Sequence, residues 1–101
     1  MPQTTYTVIA TLPDAPTAAE YTTWLADGHI QAVLAAGASA AQLVQSEDPP
    51  LQVECRYLFP SRDAYDRYIR DAAPRLRAEG LARFPAARGI TFQRRVGTVL
   101  A

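Results

Sequence analysis

Three observations predict an α+β fold of the ferredoxin-like βαββαβ type, a four-stranded antiparallel sheet with both helices on one face. Strand-like alternation occupies both ends and the middle of the chain, helical spacing fills the two gaps, and proline or glycine marks the junctions. The chain has 101 residues, 49% of them hydrophobic, which fits one domain over residues 1–101 without internal repeats or a low-complexity linker. A domain of this length buries only about 60 to 65% of its unfolded surface, so a second copy covering one face would add stability.

Thr5 to Leu12 alternates Tyr6, Val8, Ala10 and Leu12 against Thr5, Thr7, Ile9 and Thr11 and is read as the first strand. Pro13, Asp14 and Pro16 end it. Thr17-Ala18-Ala19-Glu20 then has capping-box spacing, so a helix is expected to start at Thr17 with Tyr21, Trp24, Leu25, Gly28 and Ala32 as its apolar stripe. Ile30 falls opposite that stripe, and the break in phase near Gly28 predicts a bend, with a short second piece over His29 to Leu34 ended by Gly37.

Ala38 to Gln45 is the expected second strand and Pro49-Pro50 the loop after it. The third strand, Leu51 to Phe59, places Leu51, Val53, Cys55, Tyr57 and Phe59 on one face and Gln52, Glu54, Arg56 and Leu58 on the other. Pro60 stops it, Ser61 is placed to cap a helix carrying Tyr65, Tyr68, Ile69, Ala72 and Leu76, and Pro74 interrupts that helix or starts a second piece running to Phe84. Ile90 to Leu100 is the last strand. The uncovered sheet face would then present Thr5, Thr7, Ile9, Thr11, Gln52, Glu54, Arg56, Leu58, Gln93 and Arg95, with too few apolar members for a dry core.

Ten Arg balance ten Asp plus Glu, and Lys is absent, which excludes a P-loop lysine and a Schiff-base lysine. The balance hides an asymmetry. Residues 1 to 54 carry six acidic residues and no Arg, a charge of −6; residues 55 to 101 carry ten Arg against four acidic residues, +6. The halves are expected to match each other internally or across a two-fold dimer, with an anion-binding role for the Arg-rich half as the alternative. Arg94-Arg95 is read as one edge-buried and one exposed partner for Glu54 or Asp residues. Cys55 is the only cysteine, so no intrachain disulfide forms, and one Cys with one His is far short of a zinc set. The N-terminus has no basic n-region and no span-length apolar run, so a cytoplasmic protein without a membrane segment is expected.

His29 is the sole histidine and the one side chain whose ordinary pKa lies near neutrality. Two roles stay open for it: a boundary residue bonded to backbone, or an acid, base or ligand at the mouth of a pocket between helices and sheet, with Tyr6, Trp24, Tyr57 and Tyr65 as lining or as ordinary core. Gly37-Ala38-Ser39-Ala40-Ala41 lacks the second glycine of a nucleophile elbow and runs into a strand, which excludes a serine hydrolase. Cys55 shares the face of Val53 and Tyr57 and reads as a small buried hydrophobe. Leu51 to Phe59 has no glycine, and its aromatic residues share the helix-covered face, so no nucleic-acid partner is expected.

Trp24, Gly28-His29-Ile30, Val33-Leu34 and Gly37, followed by Tyr57, Tyr65, Tyr68, Ala73-Pro74, Leu76-Arg77, Phe84 and Arg94-Arg95, resemble a small, uncharacterised bacterial domain-of-unknown-function family. That family sits in the dimeric α/β-barrel superfamily, beside the EthD-like and antibiotic biosynthesis monooxygenase-like proteins. The Trp24 to Gly37 stretch is similar to the "W…HIP…L…G" segment of EthD-like members, with Gln31 where proline is usual. The resemblance implies a homodimeric α/β barrel with a pocket in each subunit for a small aromatic or enolic ligand. It leaves open a binding protein, or a cofactor-independent monooxygenase or isomerase in which His29 moves a proton while Tyr6, Tyr57 or Arg94 holds an oxyanion. It also implies no cofactor: related haem-degrading proteins carry their axial histidine in the second helix, and Ser61 to Phe84 contains none.

Overall fold

The computed structural model describes residues 2–49 and 51–101; Pro50, half of the expected Pro-Pro loop, lies outside the described residues. Strand β1 (Thr4–Thr11) leads into α1 (Ala15–Trp24), a π-helical turn (Leu25–His29) and α2 (Ile30–Ala35). Strands β2 (Ala40–Gln45) and β3 (Gln52–Phe59) follow, then α3 (Arg62–Asp71), α4 (Ala73–Arg83) and β4 (Thr91–Thr98). The sheet is antiparallel throughout in the order β2-β3-β1-β4, the predicted ferredoxin-like topology. Among the described residues no helix is long and apolar enough to cross a membrane.

Register sorts the side chains. Tyr6 stands opposite Tyr57 and Val96, Val8 opposite Cys55 and Arg94, and Ala10 opposite Val53 and Phe92, so these residues share the helix-covered face. Phe59, Ala10 and Val33 are sealed from solvent, with Leu76 and Phe84 at 1% exposure. Burial of each such large apolar side chain contributes about 1.5–3 kcal/mol. Cys55 lies in this core, where burial pushes its thiol up to about 11, as expected of a small hydrophobe rather than a nucleophile. On the other face Gln42, Arg56, Thr7 and Arg95 form one cross-strand row and Val44, Glu54, Ile9 and Gln93 the next.

Three local expectations are corrected. The first helix starts at Ala15, not Thr17: the Asp14 carboxylate accepts from the Thr17 backbone N–H at 2.8 Å, and Pro16 sits where a missing N–H loses no helical bond. Glu20 is thereby released from the expected capping box and pairs with Arg88 at 2.6 Å and Arg83 at 3.5 Å, joining the acidic half of the chain to the basic half. Glu54 pairs with Arg56 on its own strand, not with Arg94 or Arg95. Internal charge matching is thus partial, since Arg62–Asp66, Arg70–Asp71 and Arg75–Glu79 all lie within the basic half.

Candidate functional site

The phase break at Gly28 is a π turn. The Ile30 N–H bonds the Leu25 carbonyl five residues back, and Gly28 adopts φ +131, a conformation that strongly favours glycine. Gln31 clamps the turn from both sides: its Oε1 accepts from the Gly28 N–H at 2.9 Å, and its Nε2 donates to the Ala26 carbonyl at 3.1 Å. The side chain at the position where EthD-like segments carry proline therefore satisfies two backbone groups that the turn would leave unpaired.

This turn delivers His29 onto Trp24. The two rings stack at 4.3 Å between centroids with a 25° interplanar angle. Burial holds the imidazole pKa below its ordinary 6.5, against an opposing pull from the Glu79 charge, so the ring is neutral at pH 7. No hydrogen bond joins either ring nitrogen to another described residue. The backbone-bonded boundary role weighed for His29 is therefore not what the structure shows.

Beneath the stack lies a partly open cleft with about 60 Å³ of space between the sheet and the α1 and α4 helices. Tyr21, Trp24, Phe84 and Phe92 wall it, with Tyr21 meeting Phe84 edge-on at 5.4 Å and Trp24 tilted to Phe84 at 5.6 Å. Tyr57 and Tyr68 line the inner end. Burial raises both phenols, Tyr68 to about 12, so they are neutral hydrogen-bonding groups at pH 7. From α4, Leu76, Arg77, Gly80 and Leu81 close the outer side. An added Cβ at Gly80 would stand 3.2 Å from Trp24 Cη2, so the glycine gives the indole its seat against the helix.

A polar cluster sits in this aromatic cleft. The Arg77 Nη2 donates to the Tyr6 hydroxyl oxygen at 3.0 Å and the Arg94 Nε donates to the same oxygen at 3.2 Å. Arg94 also lies over the Phe92 ring, 5.7 Å from its centroid, which steadies the guanidinium. Neither arginine has a carboxylate within ion-pair distance among the described residues. Such an arrangement holds an anionic or electron-rich oxygen, while a neutral imidazole alone on a ring accepts or returns a proton.

Of the residues the sequence singled out, Tyr6, Trp24, His29, Tyr57 and Arg94 line one cleft. Tyr65 does not. It packs behind Tyr6 and edge-on to Phe59, both at 5.5 Å, and is only 7% exposed. Sequence reasoning passed over Arg77, Gly80 and Phe84 as site residues. Their i, i+3, i+7 spacing on one face of a helix started at Pro74 was the available signal, and a glycine in the middle of that face marked the close approach. Ser39, the serine of the rejected elbow, donates its hydroxyl to the Leu58 carbonyl at 3.1 Å. Among the described residues no group of three His, Cys, Asp or Glu side chains is placed to hold a metal ion.

A family model described as a domain of unknown function (DUF4286) matches residues 3–98. No curated protein matches the chain. Solved structures share its fold at low identity. A dimeric ferredoxin-like protein from an uncultured marine organism is 12% identical with a TM-score of 0.72, covering 100% of this chain and 98% of that one. SnoaB, a cofactor-independent oxygenase from Streptomyces nogalater, is 17% identical with a TM-score of 0.68, over 100% of this chain and 96% of its own. A monooxygenase from Streptomyces coelicolor, solved with the ligand nanaomycin D, is 18% identical with a TM-score of 0.69, over 96% and 88%.

Proposed function

We propose that this chain, which belongs to the DUF4286 family, binds a flat aromatic or enolic small molecule in the cleft between its helices and its sheet. The observation that carries the reading is an open cleft walled by four aromatic side chains around a small group of polar atoms, the common make-up of a ligand pocket. Titration with 2-naphthol, followed by calorimetry in the wild type and in Trp24→Ala, is the test. Saturable binding that weakens in Trp24→Ala is expected, and no saturable change in either protein overturns it.

A homodimer belongs to the same proposal. The open sheet face mixes Ile9, Val44 and Leu58 with polar side chains, too apolar to be an ordinary wet surface and suited to a second copy across a two-fold axis. The neighbour described as dimeric supports this. Sedimentation of the 11.0 kDa chain at twice its mass is expected, and a monomer at micromolar concentration contradicts it. A cytoplasmic location completes the reading, in keeping with a lone buried thiol.

The neutral, unbonded His29 ring favours a second reading, a cofactor-independent isomerase or monooxygenase. His29 would take the O–H proton of an acidic phenol or enol, leaving the negative charge on an oxygen held by Tyr6, Arg77 and Arg94. Return of that proton at a carbon completes an isomerisation. With molecular oxygen as oxidant, a phenol becomes a quinone, one oxygen atom entering the product and the other leaving as water. The cofactor-independent oxygenase among the structural neighbours supports this reading. His29→Gln would abolish turnover and keep binding; unchanged turnover removes His29 as the proton carrier, and no turnover in the wild type removes the enzyme reading.

A further inference from the structure

The geometry points to an aryl carboxylate as the ligand class, its ring among the cleft aromatics and its carboxylate between Arg77 and Arg94. The inference rests on the cleft being the ligand site and goes beyond it by naming the charge the ligand carries.

Arginine pairing across the molecule is the first observation. Arg56, Arg62, Arg70, Arg75, Arg83 and Arg88 each lie within ion-pair distance of an Asp or Glu. Arg67, Arg77, Arg94 and Arg95 have no such partner among the described residues. All four are exposed, Arg67 on α3 and Arg95 on the open sheet face. The other two converge inside the cleft, on one uncharged phenol oxygen. Two cations drawn to the same neutral atom repel each other, and water at the cleft mouth screens only part of that repulsion. An anion between them would relieve the repulsion and gain charge-assisted hydrogen bonds, about twice as strong as neutral ones.

Hydrogen-bond accounting on Tyr6 is the second. Its oxygen accepts from both guanidiniums, while its own O–H finds no acceptor among the described residues. A phenol with both acceptor positions occupied has only its donor left to offer. The Tyr6 O–H and the remaining N–H groups of the two guanidiniums therefore meet at one point with no acceptor among the described residues. A planar carboxylate presents two oxygens with about four lone-pair positions, enough to take one bond from each arginine and one from Tyr6. Attached directly to a flat ring, it would leave the ring beside Phe92, Tyr21 and Trp24. Glu79, whose charge reaches His29, is exposed and pairs with Arg75, so it is no internal substitute.

The test compares 2-naphthoate with 2-naphthamide, the same shape without the charge, in wild type, Arg77→Gln, Arg94→Gln and Tyr6→Phe by calorimetry. The wild type is expected to bind naphthoate at least about tenfold more tightly, a preference that falls with added salt. Each arginine substitution is expected to remove most of that preference by weakening naphthoate far more than naphthamide, and Tyr6→Phe to reduce it. Equal affinity of the wild type for the two probes overturns the inference and leaves the cleft as a site for neutral aromatics. Binding of neither probe overturns both. The comparison within the wild type holds even where a variant fails to fold.

Discussion

Replacing Gly80 by alanine places a methyl group 3.2 Å from Trp24 Cη2 and 3.9 Å from two further carbons of the same ring. Carbon atoms rest comfortably at about 3.5 Å or more, so the indole must move by a few tenths of an ångström. Two effects compete. Alanine in a helix interior is favoured over glycine by about 0.8–1 kcal/mol, and the Gly80 backbone is ordinary helix that alanine adopts without strain. Overpacking a rigid core costs about 1–3 kcal/mol, but Trp24 is not in a rigid core. It is half-buried, with the cleft on one side and a shallow hollow lined by Glu20, Thr23, Asp27 and Arg83 on the other, so the ring has room to slide. Propensity therefore wins. Gly80→Ala is expected to gain up to about 1 kcal/mol, a rise in Tm of no more than about 4–8 °C for a domain of this size. At the same time the shifted indole changes its emission and narrows the cleft, weakening 2-naphthol binding. Thermal unfolding by circular dichroism and Trp24 fluorescence measure both effects. A fall in Tm would refute the reasoning by showing that the indole is wedged, and unchanged ligand affinity would show that Trp24 is not a wall of the site.

Other outcomes follow from the same geometry. Because burial lowers the His29 pKa in the folded chain below 6.5, the unfolded chain takes up its proton first as pH falls. The stability that His29 contributes is complete above about pH 6.5 and is lost as pH falls through the folded value. His29→Gln should flatten this part of the pH–stability curve, and an identical slope in the variant would remove the burial argument. Gly28→Ala meets no atom within 4 Å, yet its φ of +131 makes the turn costly for any L side chain, about 1–2 kcal/mol; an unaltered Tm would show that the turn relaxes freely. Tyr65→Phe should leave naphthol binding unchanged, since Tyr65 stands behind Tyr6; weakened binding would place it in the cleft after all.

What the sequence made legible depended on how local each signal was. Period-two alternation located β1 and β3, because a strand that is covered on one face must alternate, and the flanking glycine and proline residues located β2 and β4, all to within about two residues. The first helix was misplaced by two residues. Thr17 and Asp14 are both good caps, and the choice fell to Asp14 because Pro16 is tolerated in the first turn. The interruption at Gly28 was readable from Ile30 falling out of phase, but its π geometry was not, since it depends on Gln31 reaching back to two backbone groups. In the cleft, Tyr6, Tyr57 and Arg94 were placed by strand parity alone. The spacing of Arg77, Gly80 and Phe84 marks one helix face, but that this face meets Tyr6 of β1 is a tertiary relation that no local spacing encodes.

The most direct test of the central claim, that the cleft between helices and sheet is the ligand site, is a map of amide and indole N–H chemical shifts during titration with 2-naphthoate. Shifts confined to Trp24, including its indole N–H, and to His29, Gly80, Phe92 and Arg94 are the predicted result. Shifts centred instead on the Gln42, Arg56, Thr7 and Arg95 row of the open sheet face, or no saturable shift at all, would contradict it.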